Sequence, residues 1–145
     1  MISVYEYIKN SVNVKLAPSK THGVGVFAIR DIELGEKLFT KWMGKSGLYY
    51  LTENELNTFD SNLKFHLYDM FEFIKVDNEW VFAIYLNKNC HWIFKTPVHW
   101  INSCAWNELP NVDKETEVAL KNIKIGDEIV FKYGKYNKYI KKHTI

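Results

Sequence analysis

Short apolar runs, each bounded by glycine or polar residues, recur along much of the chain. One pair of runs covers Val24 to Ile29 and Lys37 to Trp42, with a glycine-containing turn between them. A second pair covers Phe71 to Val76 and Trp80 to Leu86, separated by the turn residues 77–79. Short runs of this kind are typical of β-strands joined by turns. We therefore predict two pairs of neighbouring strands.

Signals for helices are fewer. The segment from Thr52 to Phe59 opens with a capping box, because a glutamate follows the threonine three residues later, and we predict a short helix there. Thr96 and Pro97 suit the N-cap and first position of a second short helix that ends near Asn102. Many short strands and little helix predict a mainly β domain. The remaining predicted strands are His91 to Phe94, Glu117 to Ile123 and Glu128 to Tyr133.

One stretch of the pattern occurs twice. Residues 31–38 read Asp-Ile-Glu-Leu-Gly-Glu-Lys-Leu, and residues 122–129 read Asn-Ile-Lys-Ile-Gly-Asp-Glu-Ile. Each copy places a glycine in a turn shortly before an apolar strand resumes, and glycine accepts a positive φ at little cost. A duplicated element and two independent turns of the same kind both explain the likeness.

Composition adds modest constraints. A chain of 145 residues with 47% hydrophobic and 25% charged residues predicts one globular domain with its own core. Aromatic residues reach 16%, which favours strands and aromatic-lined pockets, or simply a β-rich core. The net charge of +2 is too small to predict nucleic-acid binding. The one basic cluster is interpreted first as a solvated tail and otherwise as a contact for nucleic acid or an acidic partner. It consists of Lys135, Lys138, Lys141 and Lys142.

The chain also lacks the signals of a secreted or membrane protein. It has no secretory signal and no apolar run of transmembrane length, so we expect an intracellular, soluble protein with no membrane partner. Cys90 and Cys104 are then expected to be reduced thiols. The two cysteines, together with His22, His66, His91 and His99, show no spacing typical of a metal site, and none is predicted.

Two widely separated segments carry distinctive patterns. The first, at 19–28, reads Ser-Lys-Thr-His-Gly-Val-Gly-Val-Phe-Ala, and its paired glycines would let the backbone approach a ligand closely. The second begins with Trp-Ile-Asn-Ser-Cys at 100–104, continues through Pro-Asn-Val at 110–112 and ends with Gly-Asp-Glu-Ile-Val-Phe-Lys-Tyr-Gly at 126–134. In this order and separation they resemble the SET domain, the fold of S-adenosylmethionine-dependent protein lysine methyltransferases. The resemblance spans roughly residues 13 to 136.

The resemblance implies a fold and an activity. The fold is the SET-domain β-clip, which is mainly β, with several short sheets and few short helices. It implies a single domain over residues 1–145, with its core at about 13–136 and a short tail at 137–145. The implied activity is methyl transfer from S-adenosylmethionine to the side-chain amine of a protein lysine. Minimal SET proteins of viruses and microbes tend to act on histone tails, so a histone tail is the substrate expected by analogy.

The resemblance also assigns roles to residues. Tyr133 corresponds to the catalytic tyrosine, whose hydroxyl would orient a lysine amine that has been stripped of water and held neutral. Phe131 stands where the family has Phe or Tyr, and Phe implies that at least two methyl groups can be added. With Phe131, the implied substrate channel contains Trp42 and Tyr136. The implied cofactor-binding residues are Gly23, Val24, Gly25, Asn102, Ser103 and Cys104.

The chain departs from the family pattern in its central motif. The family has Asn-His-Ser-Cys there, whereas this chain reads Ile-Asn-Ser-Cys at 101–104 and has four additional residues before Pro110. Two alignments fit. In the first, Asn102 is the family asparagine and the histidine is deleted; in the second, Asn102 takes the histidine position and Ile101 the asparagine position. The cysteine-rich zinc-binding tail of many family members is also missing.

Two other functions are compatible with these features. One is a SET-like module that binds a protein partner without transferring methyl groups, since the histidine is missing. The other is a small β-rich nucleic-acid-binding protein that uses its aromatic residues and C-terminal lysines. The sequence leaves the oligomeric state open.

Overall fold

A computed structural model describes residues 2–21, 23–91, 101–104 and 107–132. These residues form a mainly β domain with short strands and few helices, which confirms the predicted fold class. Within the described ranges, no helix is both long and apolar enough to cross a membrane. In chain order the elements are α1 (Val4–Ser11), β1 (Val14–Pro18), β2 (Val24–Ala28), β3 (Gly47–Leu51), α2 (Glu53–Asn57), α3 (Ser61–Met70), β4 (Glu72–Val76), β5 (Glu79–Leu86), β6 (Asn102–Ser103) and β7 (Glu128–Phe131).

The strands form two sheets. The first has the order β1-β2-β7-β6, and the second has the order β3-β5-β4. All neighbouring strands are antiparallel except β6 and β7, which run parallel and pair Asn102 with Val130 and Ser103 with Phe131. The first sheet therefore brings the 101–104 segment beside the last strand, and β2 lies on the other side of that strand.

Each of the three helices that the structure describes begins at an N-cap residue whose side chain accepts a backbone hydrogen bond. At α2 the Thr52 side chain accepts a hydrogen bond from the Glu55 N–H, and the Glu55 side chain accepts one from the Thr52 N–H, so the predicted capping box is confirmed. Helices α1 and α3 were not predicted from the sequence. Ser3 caps the first through the Glu6 N–H, and Asp60 caps the other through the Leu63 N–H, as N-cap side chains commonly do.

Some predicted strands are confirmed, and others are wrong. β2, β4 and β5 lie where predicted, and Asp77 and Asn78 close the β4–β5 hairpin with φ values of 49° and 67°. Such positive values at both central residues are those that tight hairpin turns require. The predicted strand at 91–94 lies outside the described residues except for His91, and the helix predicted from Thr96 lies outside them except near its end.

The run from Lys37 to Trp42 does not form the predicted strand. Its backbone changes partners along its length, because the Leu38 N–H donates to the Glu117 carbonyl and the Trp42 N–H donates to the Cys90 carbonyl. The predicted strand from Glu117 to Ile123 is likewise reduced to isolated bridges, and Glu117 itself has a φ of 59°. Neither segment keeps one neighbour long enough for a continuous ladder.

The two copies of the repeated stretch pair with each other. The Ile32 N–H donates to the Ile123 carbonyl at 2.8 Å, and the Ile123 N–H donates to the Ile32 carbonyl at 2.7 Å. The side chain of Asp31 accepts from the N–H of residue 125 at 2.9 Å, and that of Asn122 accepts from the N–H of residue 34 at 2.8 Å. The contacts are reciprocal, so an approximate two-fold axis passes between the two isoleucines.

The turns within the copies also match. The Glu36 N–H donates to the Glu33 carbonyl and the Asp127 N–H to the Lys124 carbonyl, each at 3.0 Å. Gly35 and the equivalent glycine at 126 both have a φ of 89°, as the third residue of a type II turn requires. The two copies thus form one paired unit rather than two unrelated turns.

Two hydrophobic clusters form the core. One lies among the three helices and the second sheet, and it contains Trp42. The other lies under the first sheet and the repeated unit. It contains Val26, Ile32, Ile101, Ile123 and Phe131, together with other buried residues. The candidate site is built on this second cluster.

Candidate functional site

The carboxylate of Glu128, at the start of β7, joins the distinctive segments of the sequence. Its Oε2 accepts a hydrogen bond from Asn102 Nδ2 at 2.8 Å, and its Oε1 accepts one from Ser19 Oγ at 2.7 Å. Asn102 Nδ2 also donates to the Val24 carbonyl at 3.2 Å. The glycine-containing segment, the Asn-Ser-Cys stretch and the Gly-Asp-Glu-Ile stretch therefore meet at one place.

Gly25 lies directly against this carboxylate. A Cβ added at Gly25 would lie 2.5 Å from Glu128 Oε2 and 3.2 Å from Asn102 Nδ2, so a side chain would displace one of them. Gly23 has a different constraint, because its φ is +49° and its Cβ position is open. The first glycine of the pair is thus required by backbone conformation. The second makes room for a carboxylate, which is a reason for glycine that needs no ligand.

The strand register sets this arrangement. β2 pairs with β7 so that Phe27 lies opposite Glu128, and β6 pairs with the far end of β7. Buried Asn111 supports β7 from the side, since its amide donates to the Glu128 carbonyl and accepts from the Val130 N–H, both at 2.8 Å. Through these two hydrogen bonds, the Asn111 side chain takes the place that a neighbouring strand would have along this part of β7. The backbone that carries Glu128 is therefore held on both sides.

The remaining residues of the central motif lie beside β7. The Cys104 N–H donates to the Phe131 carbonyl at 2.8 Å, and its thiol lies 3.6 Å from the Glu108 carbonyl. Ser103 Oγ lies 3.2 Å from the Cys104 carbonyl. Ile101, in contrast, is only 1% exposed and belongs to the core. Ile101 therefore faces the core, whereas the next side chain, Asn102, faces the site.

The predicted channel residues are only partly described. Phe131 is buried in the second core cluster, next to the central motif. Trp42 lies in the other cluster, where it packs against the rings of Tyr7 and Tyr49, and its Nε1 donates to the Lys45 carbonyl at 3.0 Å. The structure does not bring Trp42 to the Glu128 carboxylate, and its channel role stays a prediction. The catalytic role of Tyr133 and the channel role of Tyr136 also stay predictions, because both residues lie outside the described ranges.

Ser19 and Asn111 had no role assigned from the sequence, and neither had Glu128, which joins the site. Glu128 was visible as the glutamate of the Gly-Asp-Glu-Ile stretch, but its partners lie far away in the chain. Knowledge of the β2–β7 register would have revealed the role of Glu128, because that register places residue 128 next to the glycine-containing strand β2.

The other titratable groups of interest are two buried histidines. Burial lowers the pKa of His66 and of His91 to about 4 each, so both are neutral at pH 7. In the part of the chain that the structure describes, no group of three or more His, Cys, Asp or Glu side chains is arranged to hold a metal ion. The polar groups that meet at Glu128 are its carboxylate, the Asn102 amide, the Ser19 hydroxyl and the Val24 carbonyl.

Comparison with known proteins gives structural matches only. No protein-family model matches the chain, and no curated protein sequence matches it. A humanized mutant of the Chaetomium thermophilum Polycomb Repressive Complex 2, solved with an inhibitor, matches 88% of this chain at 22% identity and a TM-score of 0.37. The methyltransferase domain of human PR domain-containing protein 2 matches 86% at 16% identity and a TM-score of 0.37.

A third match is a Plasmodium falciparum protein whose name places it among the histone methyltransferases, with 84% of this chain covered at 19% identity and a TM-score of 0.33. The matched region covers 80% of the human chain and 93% of the Plasmodium chain. It covers only 16% of the Polycomb chain, so this chain spans a small part of that protein. These values do not assign the chain to a family.

Proposed function

We propose that this chain is an S-adenosylmethionine-dependent protein lysine methyltransferase. The observation that carries the proposal is the meeting of Gly25 and Asn102 at the Glu128 carboxylate. The sequence resemblance requires these two segments to face one cofactor, and a fold that separated them would exclude the proposal. The residues proposed to hold the cofactor are Gly23, Val24, Gly25, Asn102, Ser103 and Cys104.

The groups at this place suit such a cofactor. S-adenosylmethionine carries a cationic sulfonium and an amino-acid moiety, and when bound it would supply an activated methyl group. The backbone of the glycine turn offers donors and acceptors close to its surface. Asn102 offers an amide next to that turn, and Ser103 offers a hydroxyl. The donor set therefore fits the proposed cofactor.

The position of Asn102 also bears on the two alignments of the central motif. Its side chain reaches the glycine turn, whereas the Ile101 side chain is in the core. A polar residue that contacts the cofactor has to occupy the position that faces the turn. This supports the alignment in which Asn102 is the family asparagine and the histidine is deleted.

Catalysis is proposed to depend on Tyr133. The target lysine must lose its proton and its water before its nitrogen can react, and a dry channel lowers the pKa of such an amine. The Tyr133 hydroxyl would then hold the neutral nitrogen in line, and positioning of this kind supplies much of the acceleration of a two-reactant step. Phe131, Trp42 and Tyr136 would line the channel. A histone tail is the proposed substrate.

The test is methyl transfer by the purified chain. The chain is incubated with labelled S-adenosylmethionine and a panel of histones, peptides and cell lysate, and cofactor affinity is measured by titration calorimetry. We expect Tyr133→Phe to lose about tenfold or more in rate, while its cofactor affinity stays within about threefold of the wild type. Mass spectrometry should show products with two or more methyl groups, as Phe131 implies.

The outcomes separate the proposal from its alternatives. Cofactor binding without transfer to any substrate would favour the protein-binding module. Absence of both heat and thermal shift on adding the cofactor would reject the methyltransferase. Near-normal turnover by Tyr133→Phe would show that the tyrosine is misassigned, and a product that stops at one methyl group would reject the role given to Phe131.

A further inference from the structure

We propose that Glu128 is the positioning residue of this site. Its carboxylate fixes the 19–25 segment and Asn102 relative to each other, and it determines which way the Asn102 amide faces. The inference rests on the proposed function for its effect on cofactor binding, but the positioning itself concerns only residues of this chain.

The first support is the geometry of the hydrogen bonds. Each carboxylate oxygen of Glu128 accepts from a different segment, at 2.7 Å from Ser19 Oγ and at 2.8 Å from Asn102 Nδ2. The same Ser19 oxygen accepts from the Thr21 N–H at 3.0 Å, so the carboxylate is connected to the backbone of the glycine segment.

The second support is the orientation of Asn102. Its Nδ2 carries two hydrogens, and one faces Glu128 Oε2 while the other faces the Val24 carbonyl. Both of these partners can only accept hydrogen bonds. The amide nitrogen is therefore held against the turn, and the amide oxygen faces the other way. Of the two hydrogen bonds that set this orientation, the shorter is the one to Glu128, and removal of the carboxylate removes it.

The third support is packing. The position that a Cβ of Gly25 would take is filled by the Glu128 carboxylate, at 2.5 Å from Oε2 and 2.9 Å from the carboxyl carbon. The carboxylate at residue 128 thus fits only because residue 25 has no side chain. A shorter side chain at 128 would leave a space beside the turn and remove what holds it.

The fourth support comes from the repeated unit. Lys37 occupies the position in the first copy that Glu128 occupies in the second, and each residue forms an antiparallel backbone pair, with Val118 and Phe27 respectively. The backbone setting is thus shared. Lysine can only donate hydrogen bonds, so it cannot replace a carboxylate that receives two of them. The position after the turn therefore does not explain why residue 128 is a glutamate. Its hydrogen bonds with Ser19 and Asn102 do explain it.

The experiment compares three variants of the full chain: Glu128→Ala, Glu128→Gln and, as the matched control, Lys37→Ala. Glutamine has the shape of glutamate, and it can accept from Asn102 through Oε1 while its Nε2 donates to Ser19 Oγ. It therefore keeps the geometry and removes the charge. Backbone hydrogen exchange is measured without ligand, and the affinity for S-adenosylmethionine is measured by titration calorimetry.

We expect Glu128→Ala to raise exchange about tenfold or more in peptides covering 19–25 and 101–104, because local opening there becomes easier. Exchange in α3 and β5 should not change, which verifies that the variant is folded. Cofactor affinity should fall about tenfold or more, a loss of roughly 1.4 kcal/mol. Glu128→Gln should stay within about threefold of the wild type in both measurements, and Lys37→Ala should match the wild type.

Two results would overturn the proposal. Glu128→Ala could behave like the wild type, or Glu128→Gln could be as impaired as Glu128→Ala, in which case charge rather than position is what matters. If the alanine variant does not fold, Ser19→Ala removes one of the two hydrogen bonds and should raise exchange in 19–25 alone. The wild type could bind no cofactor while the variants still show the expected differences in hydrogen exchange. That result would reject the proposed function and leave the positioning role of Glu128 intact.

Discussion

The two copies of the repeated unit have the same backbone but different chemistry. Residues 31–38 and 122–129 share their turn geometry, their glycine conformation and their reciprocal hydrogen bonds. In the first copy, Lys37 lines an open cleft of about 420 Å³ together with Lys41 and Glu117. In the second copy, Glu128 binds the glycine segment and Asn102. The shared positions maintain the fold, and one position that is not shared sets the chemistry.

A smaller difference concerns charge. Arg30, just before the first copy, pairs with Glu36 at 2.8 Å and also donates from Nε to Asn13 Oδ1 at 2.6 Å. The equivalent acid in the second copy, Asp127, accepts from the Lys124 N–H at 3.0 Å, and it forms no ion pair among the described residues. In the part of the chain that the structure describes, the second copy therefore keeps the turn contact but has no ion pair.

The largest predicted effect tests whether the two copies are equivalent in the core. Ile32→Ala and Ile123→Ala each remove a buried side chain that is 1% exposed, and each should lower the free energy of unfolding by about 3 kcal/mol. The two losses should agree within about 1 kcal/mol, because the residues face each other across the approximate two-fold axis. Urea denaturation measures both.

The control for this pair is Leu120→Ala, since Leu120 is 47% exposed and its loss should cost about 0.5 kcal/mol or less. A loss that is large at one isoleucine and small at the other would contradict the equivalence of the copies.

Features encoded by neighbouring residues could be predicted from the sequence. The capping box at Thr52, the hairpin around Asp77 and Asn78 and the two repeated glycine turns each depend on residues a few positions apart. No local signal indicates the change of partners between Leu38 and Trp42, because those hydrogen bonds go to residues about fifty or more positions away. Only the folded chain decides which of these neighbours is reached.

The same distinction applies to the candidate site. The glycine segment and Asn102 were predicted to meet, and their contact is observed through Val24 and Glu128. The carboxylate that joins them was missed, since its role depends on the register between β2 and β7. The cofactor-binding role of Gly25 stays a prediction, and the structure adds a second reason for glycine there, because the Glu128 carboxylate occupies the space that a side chain would need.

An intermediate effect tests the turns themselves. Gly35→Ala and Gly126→Ala should each cost about 1–2 kcal/mol, because both residues have a φ of +89° and an alanine there is strained. Nothing lies within 4 Å of either Cβ position, so no steric clash adds to the cost. Equal losses in urea denaturation would sharpen the comparison. A much larger loss at Gly126 would show that the second turn carries a constraint that the first does not.

The smallest predicted effect concerns the Arg30–Glu36 ion pair of the first copy, which has no counterpart in the second copy among the described residues. The hydrogen bond from Arg30 lowers the pKa of Glu36 below its ordinary value near 4.5, and the backbone contact with Glu33 acts in the same direction. A carboxyl group whose pKa is lower in the folded state stabilises the fold above its unfolded pKa. That contribution is lost as the pH falls below about 4.5 and the group is protonated. Both partners are one-third exposed, so the pair should be worth only about 0.5 kcal/mol.

Glu36→Gln should therefore lower the free energy of unfolding by about 0.5 kcal/mol at pH 7, and the difference from the wild type should shrink at about pH 3. It should also shrink in about 1 M salt, which screens exposed charges. Asp127→Asn is the matched variant, because its amide oxygen can still accept from the Lys124 N–H and no ion pair is lost among the described residues. Its effect should be insensitive to salt. Equal salt dependence in the two variants would show that the two copies do not differ in charge pairing. The difference between Lys37 and Glu128 would then be the functional difference that remains between the copies.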